Sequence, residues 1–107
     1  MELRVRFDPP GVFVNDPRLT VRLDDRVVFE GSFRRGFLVS KSVVPGPHVI
    51  ETQIQLGPSL ARTRRYRFDV EGQPPPGYRG SSPSLEARLA YSRFTGNFRR
   101  RLSVRRV

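Results

Sequence analysis

The chain has 107 residues, of which 36% are hydrophobic, 28% are charged and none is cysteine. This composition is too apolar for a disordered tail and too polar for a membrane-spanning protein. The lack of cysteine excludes disulfides, thiolate catalysis and cysteine-based metal sites. The net charge of +10 is uneven, because residues 72–107 contain eight cations and a single acid, Glu86.

Hydrophobic and polar residues alternate with a period of two along most of the chain. Such alternation is typical of strands with one face in a core, and turns at short, regular intervals are typical of all-β folds. The sequence predicts one domain over 1–107, an antiparallel β-sandwich of seven or eight strands, Ig-like or prealbumin-like, with barrel closure left open and little or no helix. The predicted strands are 2–7, 18–23, 26–30, 37–44, 48–56, 62–71, 85–93 and 98–106.

The apolar residues of these strands define a candidate core. One parity of each strand is apolar, so we expect that parity to face inward. The stretch 85–106 alternates as well, so we expect it to form a hairpin that completes the core, although it is the most basic part of the chain. The predicted inward residues are Phe7, Leu19, Val21, Leu23, Ile50, Ile54, Tyr66, Phe68, Leu89, Tyr91, Leu102 and Val104.

A stretch rich in Pro, Gly and Ser at 72–84 is the longest segment without alternation. Three consecutive prolines favour polyproline II, and long surface loops often carry binding residues. We therefore predict a surface loop that contacts a partner protein. Its candidate contact residues are Pro74, Pro75, Pro76, Tyr78 and Arg79.

No group of residues in the sequence has the spacing of a catalytic or metal site. His48 is the sole histidine and follows a Pro-Gly-Pro turn, so we expect a structural role and no zinc site. Asp24 and Asp25 are adjacent and are expected in a hairpin turn, where their side chains diverge and cannot act as an acid–base pair. The sequence therefore predicts a protein that is not an enzyme and has no cofactor.

Arginine accounts for 19 of the 20 cations and occurs in clusters. Arg65 and Arg67 share one parity of a predicted strand, and Arg99, Arg101 and Arg105 share one parity of another. If these strands are neighbours, the five side chains lie on one sheet face that could follow a phosphate backbone or bind a partner. The alternatives are a solvated face, charges that block strand addition, and a coding bias towards arginine.

The stretch 19–56 resembles the PEGA-like small β-sandwich domains. The similar features are Asp24-Asp25 after an alternating strand, a short second strand, and Pro45-Gly46-Pro47-His48 before a long strand. The family usually has Asp-Gly where this chain has Asp25-Arg26. The resemblance implies a sandwich that serves as a binding or structural module.

Together these features favour a non-catalytic module for protein–protein contact, with self-association as one form of it. The alternative function is the binding of nucleic acid or another polyanion by the basic face. The N-terminal residues alternate without an apolar segment, and no apolar run approaches the roughly 20 residues of a membrane helix. We therefore expect a cytoplasmic protein without a membrane span.

Overall fold

A computed structural model describes residues 1–9, 11, 16–71, 84–93 and 95–106. Every regular element in these residues is a strand, so the prediction of an all-β protein is confirmed. None of them forms a helix of the length and apolarity needed to cross a membrane. The strands are β1 (Glu2–Phe7), β2 (Arg18–Leu23), β3 (Arg26–Ser32), β4 (Phe37–Ser42), β5 (Gly46–Gln55), β6 (Ala61–Val70), β7 (Ser84–Leu89), β8 (Tyr91–Ser92), β9 (Asn97–Phe98) and β10 (Ser103–Arg106).

The strands form two four-stranded sheets and one short pair. The first sheet has the order β10-β7-β1-β4, the second has the order β3-β2-β5-β6, and β8 pairs with β9. The second sheet uses neighbouring antiparallel strands and a register in which Val21 lies opposite Thr52 and Ile50 opposite Tyr66. The first sheet joins strands that are far apart in the sequence.

The expectation of antiparallel strands throughout was wrong at one place. β1 runs parallel to β7, with Glu2 opposite Ser84 and Phe7 opposite Leu89. A parallel pair needs a long connection, and the chain supplies one because β2 to β6 lie between these two strands. Alternation identifies which face of a strand is buried but carries no information on strand direction.

The predicted hairpin over 85–106 is divided into two short ladders. β7 pairs with β10 and β8 pairs with β9, and the Arg99 N–H donates to the Ala90 carbonyl at 2.7 Å between the two ladders. Gly96, with φ of +65°, forms the turn. Residues 99–102 lie outside strands, so the chain bends there before β10 begins.

All twelve predicted inward residues belong to the core or pack against it. Eight of them are buried, and Phe68, Tyr91, Leu102 and Val104 are partly buried at its margin. Phe98 is fully buried beside Phe7, with ring centroids 5.0 Å apart, and Phe33 lies 5.1 Å from Phe7. These aromatic contacts join the β8–β9 pair to the first sheet.

Two turns depend on unusual backbone angles. Asp24 and Asp25 have φ of 51° and 66°, which is the conformation of a two-residue hairpin turn, so their predicted place in a turn is confirmed. Gly36 has φ of +66°, and a Cβ there would lie 2.3 Å from the Phe7 carbonyl oxygen. Any side chain at this position would therefore displace β1 or the turn before β4.

Candidate functional site

Four strands lie at the edges of the two large sheets, and they differ in how they are protected. β6 carries Arg62, Arg64, Arg65 and Arg67, and β10 carries Arg105 and Arg106. β3 has a register shift opposite Val21 and Arg22. Charges and bulges both discourage the addition of a further strand. β4 has a regular register with β1 and a single charged residue, Lys41.

The β4 backbone exposes a row of hydrogen-bonding groups. The Val43 N–H donates to the Met1 carbonyl at 2.8 Å, so the backbone of this residue points towards β1. In a regular antiparallel strand the direction alternates, and therefore Leu38, Ser40 and Ser42 direct their N–H and C=O groups away from β1. In the described part of the chain, no strand pairs with this side of β4.

Exposed apolar side chains accompany this edge. The exposed fractions are 57% for Leu38, 50% for Val27 and 71% for Val44. Val27 and Val44 line a cavity of about 400 Å³ between the β2–β3 turn and the segment after β4, together with Lys41 and His48. A partner strand on β4 would cover Leu38 and extend past this cavity.

His48 lies at the start of β5 and connects three parts of the fold. Its Nδ1 is 2.6 Å from an Asp24 carboxylate oxygen and its Nε2 is 2.6 Å from the Val44 carbonyl oxygen. The other Asp24 oxygen accepts a hydrogen bond of 2.9 Å from the Val49 N–H. The side chain therefore ties the β2–β3 turn and the end of the β4–β5 connection to β5.

The protonation of this pair follows from its neighbours. Both ring nitrogens face acceptors, so both must carry protons to be satisfied. Burial lowers the pKa of His48, but the hydrogen bonds to Asp24 and Val44 outweigh it and leave the pKa raised. Burial raises the pKa of Asp24, but the hydrogen bonds from His48 and Val49 leave that pKa lowered. Below the raised pKa of His48, the pair is an imidazolium facing a carboxylate.

Ser42 lines the same cavity as His48 and Asp24, which together are the residue types of a hydrolase triad. A triad needs a neutral Nε2 that accepts the serine proton. Here Nε2 is directed at the Val44 carbonyl oxygen and carries a proton of its own. The geometry thus opposes proton transfer from Ser42. In the described ranges, no three His, Asp or Glu side chains are placed to hold a metal ion.

The five arginines predicted to share one sheet face do not do so. Arg65 and Arg67 lie on β6 of the second sheet, whereas Arg105 lies on β10 of the first sheet. Arg99 and Arg101 lie in the bend before β10. All five side chains are exposed, and Arg65 faces Glu51 at 3.7 Å. The proline-rich candidate loop with Pro74, Pro75, Pro76, Tyr78 and Arg79 lies outside the described residues.

Hydrogen bonds between β6 and residues 97–99 bring two runs of arginines to the same part of the fold. We call these residues the basic cluster: Arg62 and Arg64 on β6, and Arg99, Arg100 and Arg101 in the segment after β9. Arg64 Nε donates to the Phe98 carbonyl at 3.1 Å, and the Asn97 amide donates to the Thr63 carbonyl at 2.9 Å. These bonds hold Asn97 and Phe98 against β6. The sequence contained the residues as two separate runs, but not the contact between them.

Comparison of the chain with protein-family models, with curated proteins and with solved structures finds no match. The similarity of residues 19–56 to PEGA-like domains therefore stays a prediction.

Proposed function

We propose that this protein is a non-catalytic interaction module that binds an extended segment of a partner protein along β4. The observation that carries the proposal is the regular, weakly charged edge of β4, where Leu38, Ser40 and Ser42 direct outward backbone groups with which no described strand pairs. A strand added there gains main-chain hydrogen bonds, and alternate side chains provide selectivity.

We further propose that the two large sheets pack face to face as a β-sandwich. Buried residues of both sheets belong to one core, including Val5 of the first and Val21 of the second. Phe29 of β3 stacks on Phe37 of β4 with ring centroids 4.4 Å apart, which joins the sheets on one side. This arrangement supports a rigid β4, because β4 is held by β1 and by the stacked ring.

A second copy of the chain is the simplest partner. Two β4 strands placed antiparallel about a two-fold axis would present the same residues to each other, as closed dimers require. The exposed Leu38 side chain would then lie near its counterpart and lose contact with water. An unrelated partner would need an extended segment with apolar residues at alternate positions.

Proline at position 40 tests this proposal. The Ser40 N–H points away from β1, so Ser40→Pro removes a donor from the outer edge without breaking the ladder to β1. We expect the solution mass of the wild type to rise with concentration and that of Ser40→Pro to stay at the monomer. Ser40→Thr keeps the donor and is the matched control. Equal association of all three proteins would contradict binding through β4.

A further inference from the structure

The β5–β6 hairpin ends in two exposed leucines. Leu56 is 47% exposed and Leu60 is 53% exposed. The Leu56 N–H donates to the Leu60 carbonyl at 2.8 Å, so the tip is ordered by its own hydrogen bond. Large apolar side chains at an ordered tip place apolar surface in water without any benefit to the core.

The leucines lie just beyond the end of the core. Ile54 pairs with Arg62 in the register of β5 and β6, and Ile54 is only 1% exposed. Two residues further along, the same face of the hairpin carries Leu56 and Leu60, which are opposite each other by this register. The apolar row of β5 therefore continues past the part that the opposite sheet covers.

The basic cluster begins directly behind this tip. Arg62 and Arg64 follow Leu60 on the same parity of β6. The hydrogen bond from Tyr66 to the Arg99 carbonyl, together with the bonds from Arg64 and Asn97, places Arg99 beside them. Burial raises the pKa of Tyr66 to about 12, so its hydroxyl keeps the proton that this bond needs.

The basic cluster has no ion pair with the described acidic side chains. In the residues that the structure describes, no carboxylate lies within 4 Å of a cluster guanidinium group, although other arginines have such partners. Arg65, on the opposite face of β6, shares Glu51 with Arg22. Five cations in this part of the fold without a described carboxylate partner attract an external polyanion.

We propose that this end of the molecule binds a membrane surface that contains anionic lipids, with Leu56 and Leu60 at the acyl boundary and the basic cluster at the lipid phosphates. A strand rises about 3.3 Å per residue, so Arg62 lies roughly 7 Å behind Leu60. Peripheral segments bury their apolar side chains about 5–10 Å deep, which matches this spacing. Each arginine near such a surface strengthens binding about fivefold.

The tip favours lipid over nucleic acid as the polyanion. Binding of single strands uses exposed aromatic rings on which bases stack. Phe98, the aromatic residue next to Arg99, is fully buried and cannot serve in this way. The exposed leucines of the tip, Leu56 and Leu60, gain from an acyl environment and not from a phosphate backbone.

Co-sedimentation with vesicles tests the proposal. The probes are vesicles of phosphatidylcholine alone and vesicles of phosphatidylcholine with phosphatidylserine. We expect binding to the second only, and a loss of about tenfold or more for Leu56→Ser with Leu60→Ser, since the two half-exposed side chains together bury about one leucine's worth of surface.

The arginine variants provide a matched comparison. Arg62→Gln with Arg100→Gln and Arg101→Gln removes three cluster charges and should weaken binding about a hundredfold at low salt. Arg26→Gln with Arg67→Gln and Arg105→Gln removes the same charge elsewhere and should weaken it far less. Within the described residues, none of these six side chains donates a hydrogen bond or forms an ion pair, so thermal unfolding should be unchanged.

Two results would overturn the proposal. The first is equal loss of vesicle binding in both arginine triples, which would mean that net charge alone attracts the protein. The second is wild-type binding by the leucine variant together with binding of single-stranded DNA that depends on the cluster. That result would assign the cluster to nucleic acid.

Discussion

The charged side chains at the two ends of β5 differ in whether they have partners within the fold. At its start, His48 is buried and pairs with Asp24, which also accepts a bond from the Val49 N–H. At its end, Leu56, Leu60 and Arg62 are exposed, and no described carboxylate pairs with Arg62. The number of charges in a region is therefore a poor guide to whether that region binds a charged partner. What matters is whether the fold already satisfies them.

Removing residues 95–107 should have the largest effect on folding stability. The deletion tests whether the basic C-terminal end is part of the core. The deletion removes β9 and β10 and exposes the residues against which Phe98 packs. We expect no cooperative transition in a circular-dichroism melt. Phe98→Ala should cost about 3–5 kcal/mol in the full chain. A truncated chain with a cooperative melt would show that this end is detachable.

His48→Gln should have an intermediate effect, with a loss of about 2 kcal/mol of unfolding free energy near pH 6. The pKa of His48 is raised in the folded protein, so its contribution is complete below 6.5 and is lost as the pH rises through the raised value. The pKa of Asp24 is lowered, so its contribution is present above 3.8 and is lost as the pH falls through the lowered value.

The pair is therefore strongest between pH 3.8 and 6.5. Chemical denaturation across the pH range measures this dependence. The wild type should lose stability on the alkaline side of the window, whereas His48→Gln should not show that step. If the two proteins have parallel pH profiles, His48 is neutral in the folded protein. The start of β5 would then lack an internal ion pair, as its end does.

The triple charge reversal Arg99→Glu, Arg101→Glu and Arg105→Glu should have the smallest effect on folding. All three side chains are exposed, and their carboxylate partners are not found among the described residues. Exposed substitutions usually cost less than about 1 kcal/mol each. A large drop in melting temperature would mean that these arginines stabilise the fold. The charges at the two ends of β5 would then not differ in their contribution to stability.

Much of the fold could be predicted because alternation directly reflects burial. Ile50 and Ile54 are buried as expected, since each strand has one face towards the core. Glu86 departs from this pattern. Its position in the alternation places it on the outward face, but its side chain is only 7% exposed. It lies between Arg4 and Arg105 in the neighbouring strands and pairs with Arg88, so flanking side chains cover it.

The site could be predicted less well than the fold, because its residues meet through tertiary contacts. Asp24 and His48 are far apart in the sequence, and their pairing depends on the register of β2 and β5. The contact of Arg64 with the Phe98 carbonyl depends on the bend after β9. The alternation of hydrophobic and polar residues along a strand carries no information on such contacts. The direction of β7 beside β1 was missed for the same reason.

The parallel pairing of β1 with β7 also constrains the order of events when the chain folds. The second sheet joins strands that follow one another closely, so its hairpins close over short loops and can form early. β1 must wait for Ser84–Leu89 before its second neighbour exists. During synthesis on the ribosome the edge of β1 that pairs with β7 would stay unpaired until most of the chain has emerged. Slow completion of the first sheet is therefore expected to limit the folding rate, and a nascent chain is most exposed to aggregation in that interval.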